Sequence, residues 1–223
     1  GKTGRFTDAI AALQVAVTLQ PGESKTVVFT MGAAEDGRED AYDLIQRYTS
    51  VEKSDQALEA VRGFWSRFVD AEYVETPDDA LNFMTNVWAK YQSISCRLWG
   101  KAAFYQVSAG YGFRDQLQDS QIFLVSEPEF IRKQLLLHAS QQFIEGDVLH
   151  WWFSIRGGGP RTNCSDDLLW MPFILDAYLK ETADYAVLDE MIPYLNAPAE
   201  SFYDHCKRAI ERSFSRFSPR GVP

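Results

Sequence analysis

The hydrophobic positions change period along the chain. Leu13, Val15, Val17 and Leu19 alternate with other residues, Pro21-Gly22 interrupts, and Val27, Phe29 and Met31 alternate again. A period of two on both sides of a Pro-Gly turn predicts a β-hairpin. Two strands alone are marginal in water and nothing downstream reads as strand-rich, so the rest of this sheet is expected outside the sequence.

After an acidic turn at 35–40 the period lengthens to that of helices, at about 41–48 and 55–69, with Phe64, Trp65 and Phe68 on one stripe. These read as linker helices. Thr76-Pro77-Asp78-Asp79 predicts the next start, with Thr76 as cap, Pro77 in the first turn and Asp79 closing a capping box. Leu81, Met84, Trp88, Tyr91 and Leu98 then share a face. Ser126-Glu127-Pro128-Glu129 predicts a helix to about Phe143, and Ser165-Asp166-Asp167 another to about Leu179. Thr182-Ala183-Asp184 opens a further one, and the last helix is expected to reach about Phe217. About five helices after Asp78 imply a helical layer architecture, read as part of a toroid of helix pairs.

Composition adds exclusions. With 46% hydrophobic residues and 14% aromatics, the chain can bury a large core and is not intrinsically disordered. Its 22 Lys+Arg against 31 Asp+Glu leave a formal charge of −9, which excludes a general basic field for nucleic acid. No apolar run approaches the roughly 18 residues of a membrane span, and no signal peptide opens the chain. A soluble, cytoplasmic protein without a membrane partner is expected. Cys96, Cys164 and Cys206 are odd in number and far apart, which supports neither a disulfide framework nor a CxxC metal pair.

Three clusters carry candidate chemistry. The run from Tyr111 to Asp119 holds Arg114, Asp115, Gln116, Gln118 and Asp119, with Asp115 and Asp119 on one helical face. Its structural alternative is a solvated helix start with Arg114 pairing Asp119. The second runs from Glu145 through Asp147 and His150 to Trp151, Trp152 and Phe153. Stacked rings beside carboxylates suit sugars, whereas adjacent tryptophans also suit a core. Arg156-Gly157-Gly158-Gly159-Pro160-Arg161 follows, a loop able to offer N–H groups and two guanidiniums to an anion but without the GK[ST] of a P-loop. The third is Ser165-Asp166-Asp167-Leu168-Leu169-Trp170, whose plain reading is a helix cap. Of three histidines, His138 and His205 read as helical surface or core residues, and His150 alone as a site residue.

Together, the segments Tyr111–Asp119, Gly146–Trp152 and Ser165–Trp170 resemble glycoside hydrolase family 94, the inverting glycoside phosphorylases. The resemblance runs from about Asp78 to the end of the chain. It implies a mainly α fold: the last strands of an N-terminal β-sandwich at 1–35, a helical linker at 36–75, and the first part of an (α/α)6 barrel at 76–223. It implies phosphorolysis of a β-linked gluco-disaccharide or oligosaccharide to an α-sugar 1-phosphate with inversion. The donor sugar would be held by Arg97, Arg114 and Asp115, with Gln118 and Asp119 as supports. Further sugar contacts would come from His150, Trp151, Trp152, Asp166 and Asp167.

The general acid, an aspartate, is expected beyond Pro223, so no residue here is assigned the proton transfer; the phosphate-binding residues are expected there too. The implied partners are a β-glucoside oligosaccharide, inorganic phosphate as co-substrate, the rest of the parent polypeptide and a second copy in a homodimer. No metal and no organic cofactor are expected. Gln116-Leu117 and Trp151-Trp152 depart from the cellobiose pattern, Phe153 from a usual His, and Asn163-Cys164 from an Arg-containing pair, which points to another β-linked acceptor. Two alternatives stay open: an inverting hydrolase on the same barrel, and a non-catalytic carbohydrate-binding or assembly fragment.

Overall fold

The computed structural model describes residues 10, 12–34, 37–100, 110–153 and 157–221. The chain divides into two compact units, 1–63 and 64–223.

In the first unit the Pro21-Gly22 turn forms: Gly22 takes a positive φ of 81° and Glu23 N–H donates to Gln20 O at 2.9 Å. The expected hairpin does not follow, because residues 12–34 are extended or turn backbone with no strand pairing among the described residues. A ladder forms only where its apolar face has something to lie on, and the side chains of Leu13, Phe29 and Met31 stay exposed. Two helices come next, α1 (Arg38–Arg47) and α2 (Val51–Ala71), each starting a few residues before the expected position, and the part of α2 from Phe64 onward belongs to the second unit. Glu39 and Asp40 at the N-terminus of α1 and Arg47 at its C-terminus suit the helix dipole.

The second unit is mainly helical, as expected. Its first rod runs through α3 (Asp79–Phe83), a π-helical stretch (Met84–Trp88), α4 (Ala89–Tyr91) and a second π-helical stretch (Gln92–Trp99). Asp78, rather than Thr76, caps it, accepting the N–H groups of Ala80 and Leu81. Two asparagines one turn apart clamp the incoming chain: Asn82 pairs with the Thr76 backbone and Asn86 with that of Val74, every bond at 2.8–2.9 Å. Lys90 is buried and donates to Phe68 O, Val69 O and Glu72 O, satisfying carbonyls at the end of α2. Of the expected apolar face only Leu98 is buried; Leu81, Met84, Trp88 and Tyr91 stay about half exposed.

The core lies between α5 (Phe113–Ser120), α6 (Pro128–Ala139) and α7 (Trp170–Thr182), where Phe113, Leu117, Ile131, Leu135, Met171 and Ile174 are fully buried. Pro128 sits in the first turn of α6, but the helix stops at Ala139, short of Phe143. A 3-10 turn (Asp167–Leu169) precedes α7 without a side-chain cap from Asp166. The expected start at Thr182 is instead the end of α7, marked by Ala183 at φ 54°. The last helix, α8 (Phe202–Phe214), begins where Ser201 accepts the Asp204 N–H. Two short antiparallel ribbons complete the unit: β1 (Gly110–Gly112) with β2 (Trp151–Phe153), and β3 (Met191–Pro193) with β4 (Ala199–Ser201).

Both helical histidines are core residues. His205 lies against Gln142 Oε1 and Ile192 O, with Tyr194 stacked on it at 3.9 Å. His138 is fully buried, donates from Nδ1 to Gln134 O at 2.7 Å, and meets Phe113 and Trp152 edge to face. Burial pushes the His138 imidazole down to about 4. The folded chain therefore keeps it neutral at pH values where the unfolded chain, with its ordinary value near 6.5, already binds a proton. Stability is expected to fall on acidification from about pH 6.5 to about pH 4, on the order of 3 kcal/mol from this residue. Urea unfolding of His138→Leu across that range is expected to show a shallower acid limb than the original chain. Equal slopes would refute the assignment.

No described helix is long and apolar enough to cross a membrane.

Candidate functional site

The three motif segments meet in space. The β1–β2 ribbon sets Tyr111 opposite Trp152 and Gly112 opposite Trp151, and Phe113 N–H donates to His150 O at 3.0 Å. The start of α5 thus lies beside the Trp151 strand. Arg114, on the first turn of α5, reaches Asp166 at 3.1 Å and lies over the Trp170 ring at 5.8 Å. His150 in turn holds Asp167 through Nδ1 at 2.7 Å, and Thr162 donates to the same carboxylate oxygen.

Arg97 enters from the second π-helical stretch. Its Nε meets Asp119 at 2.6 Å and its terminal nitrogen meets Asp115 at 3.1 Å. The i, i+4 spacing of the two acids places both on one face, as expected. Arg97, not Arg114, pairs with Asp119. Burial raises the Asp119 carboxyl above the usual range, with the Arg97 guanidinium opposing that rise.

The support of Arg97 also differs from expectation. Gln116 is buried and donates from Nε2 to Arg97 O at 2.6 Å. Gln118 is exposed and touches none of these groups among the described residues; its carbonyl accepts from Gln121. Position in the helical wheel separates them: Gln116 lies with buried Phe113 and Leu117, and Gln118 turns away. Gln116-Leu117, read from sequence as a departure bearing on acceptor choice, lies beneath Arg97 in the packed interior.

The tryptophan pair splits. Trp152 is buried and stacked on Tyr111 at 5.3 Å, while Trp151 is 37% exposed and meets the Phe153 ring edge to face at 5.1 Å. Alternation along β2 produces this. Gly159 makes the ribbon's neighbour possible, since a Cβ there would lie 1.8 Å from Trp151 O.

The acids at the start of the second cluster belong elsewhere. Asp147 is 3% exposed and receives Arg161 at 2.7 Å, Arg212 at 2.5 Å and Arg216 at 2.7 Å, and Arg161 also holds Glu145. Asp147 thus ties α8 and the residues just after it to the chain before β2, Glu145 pairs with Arg161 and Asn196, and neither acid joins His150. The expected anion loop is likewise altered: Arg161 is engaged with these acids, and Arg156 lies outside the described residues, as does Tyr105.

The site residues thus form three linked pairings, Arg97 with Asp115 and Asp119, Arg114 with Asp166, and His150 with Asp167, next to a strand whose Trp151 is partly exposed. Planar guanidiniums and carboxylates hydrogen-bond vicinal hydroxyls, and an indole face covers the apolar face of a pyranose.

Residues 64–223 match the family described as glycosyl hydrolase 94 superfamily, catalytic domain, and residues 1–51 match the glycosyl hydrolase 94 supersandwich domain. A cyclic beta-(1,2)-glucan synthase, NdvB, of Rhizobium meliloti is 36% identical across 100% of the chain. A solabiose phosphorylase of Paenibacillus borealis is 31% identical, and an N,N'-diacetylchitobiose phosphorylase of Vibrio proteolyticus 28% identical, each over 92% of the chain. The chain spans 8%, 25% and 29% of the lengths of these three relatives, respectively.

Proposed function

The chain belongs to the glycosyl hydrolase 94 superfamily, and on that basis we propose that it carries the donor-sugar site of an inverting glycoside phosphorylase. The parent polypeptide cleaves a β-linked gluco-disaccharide or oligosaccharide with inorganic phosphate and releases an α-sugar 1-phosphate. The observation that supports the reading is that the three motif segments touch, Phe113 N–H donating to His150 O and Arg114 pairing with Asp166. Arg97, Arg114 and Asp115 hold the donor ring, Asp119 fixes Arg97, and Asp167 orients His150. The general acid is contributed by an aspartate outside these 223 residues, within an (α/α)6 barrel of which 76–223 form the first part.

Phosphate is already an anionic nucleophile, so a phosphorylase requires one proton donor, where an inverting hydrolase requires a second carboxylate to activate water. No metal or organic cofactor enters this chemistry.

The test is sugar 1-phosphate release by the intact parent from β-1,2, β-1,3 and β-1,4 gluco-disaccharides, with and without phosphate. The β-1,2 series comes first because a cyclic beta-(1,2)-glucan synthase is among the relatives. Phosphate-dependent release of an α-sugar 1-phosphate is the expected result. Phosphate-independent hydrolysis would replace the phosphorylase reading by a hydrolase, and no turnover of any member would leave a binding fragment.

A further inference from the structure

We infer that His150, Cys164 and Asp167 form a binding site for a borderline-soft divalent cation of the zinc type. An imidazole nitrogen, the Cys164 thiol sulfur and an Asp167 carboxylate oxygen all lie within 4.8 Å of one another. The three residues come from separate points: the residue before β2, the loop after the glycine turn, and the 3-10 turn before α7.

Their backbones are held in place before any ion arrives. His150 N–H donates to Pro160 O at 2.8 Å, and His150 O accepts from Phe113 N–H at 3.0 Å. Thr162 ties the other two together: its hydroxyl accepts the Cys164 N–H at 3.0 Å and donates to Asp167 Oδ2. The Asp167 side chain is only 2% exposed, and its Oδ2 is held by His150 Nδ1 and by the Thr162 hydroxyl. A buried carboxylate oriented by a hydroxyl is a supported metal ligand.

The donor set selects the ion. Calcium and magnesium require six or more oxygens, whereas nitrogen, thiolate and carboxylate together suit zinc or cobalt. Three protein ligands leave a fourth tetrahedral position for water. Tetrahedral zinc with ordinary bond lengths sets its ligand atoms about 3.3–3.6 Å apart. Closing to that spacing requires rotation of His150 and Cys164, both exposed, while buried Asp167 stays in place. Exposure of the same two side chains supplies the entry path. On binding, the thiol releases its proton to solvent as the metal–sulfur bond forms; no electron is transferred.

The site stands on its own geometry and survives failure of the sugar reading. Its test is titration of the reduced chain with Co2+, followed by competition with Zn2+. Expected are one equivalent of Co2+, a cobalt–thiolate charge-transfer band, and its displacement by Zn2+. Cys164→Ser is expected to abolish the band and His150→Ala to weaken binding by about tenfold or more, with unchanged circular dichroism. Cys96→Ser is the control and is expected to retain the band. No band in the original chain, or a band surviving in Cys164→Ser, would overturn the inference.

Discussion

Asp147→Asn is expected to destabilise the second unit by about 3 kcal/mol, the lower end of the usual cost of breaking a buried ion pair from one side. The carboxylate is 3% exposed and is the shared acceptor of Arg161, Arg212 and Arg216. Its loss leaves three guanidiniums facing a neutral amide that presents N–H groups toward at least one of them. The arginine side chains retain 25–39% exposure, so water recovers part of their solvation and holds the cost to that lower end. In a unit of this size the change corresponds to a fall in Tm of about 6–12 °C. Glu145→Gln, which removes the charge of an exposed partner of Arg161 and Asn196, is expected to leave stability nearly unchanged. Urea and thermal unfolding of the two variants decide the matter. A loss below about 1 kcal/mol for Asp147→Asn would mean that the arginines re-pair with Glu145 and solvent.

That cluster also shows why sequence reading placed some residues well and others badly. Spacing within one element transfers directly to space: Asp115 and Asp119 share a helical face and both reach Arg97, and alternation in β2 buries Trp152 while exposing Trp151. Partners from distant segments leave no such trace. Arg212 and Arg216 lie 65 and 69 residues from Asp147, so Glu145-Gly146-Asp147 reads locally as part of the aromatic cluster that follows it. Gly146 gives one hint, since it sits at φ 90° with Arg208 O 2.4 Å from where a Cβ would be, but glycine before an aspartate is equally a plain turn signal. Most helix starts were legible to within a few residues, the one expected at Thr182 excepted, yet the capping residue at 76–79 was not. Thr76 and Asp78 are both good caps, and the asparagine clamp of Asn82 on the Thr76 backbone decides in favour of Asp78. The alternating run at 13–31 specifies a strand pattern without specifying a partner, and its ladder does not form.

Arg114→Ala in the intact parent is expected to lower kcat/KM by about 100-fold, the usual loss when one charged donor to the transition state is removed. The argument rests on what Arg114 does not do for the fold. Its guanidinium is half exposed, as is Asp166, and such a pair contributes little to stability. The Trp170 ring and Asp166 nevertheless hold it in one orientation beside the Trp151 strand, which is costly in side-chain entropy unless a ligand uses it. Unfolding free energy is therefore expected to change by less than about 0.5 kcal/mol while turnover collapses. Arg114→Lys keeps the charge but loses the two-pronged geometry, and is expected to recover only part of the rate. Asp166→Asn leaves the guanidinium in place with a weaker tether, so its effect is expected to be smaller than that of Arg114→Ala. Unchanged kcat/KM in Arg114→Ala would remove this residue from the donor site, and a parallel loss of stability would reassign it to the fold.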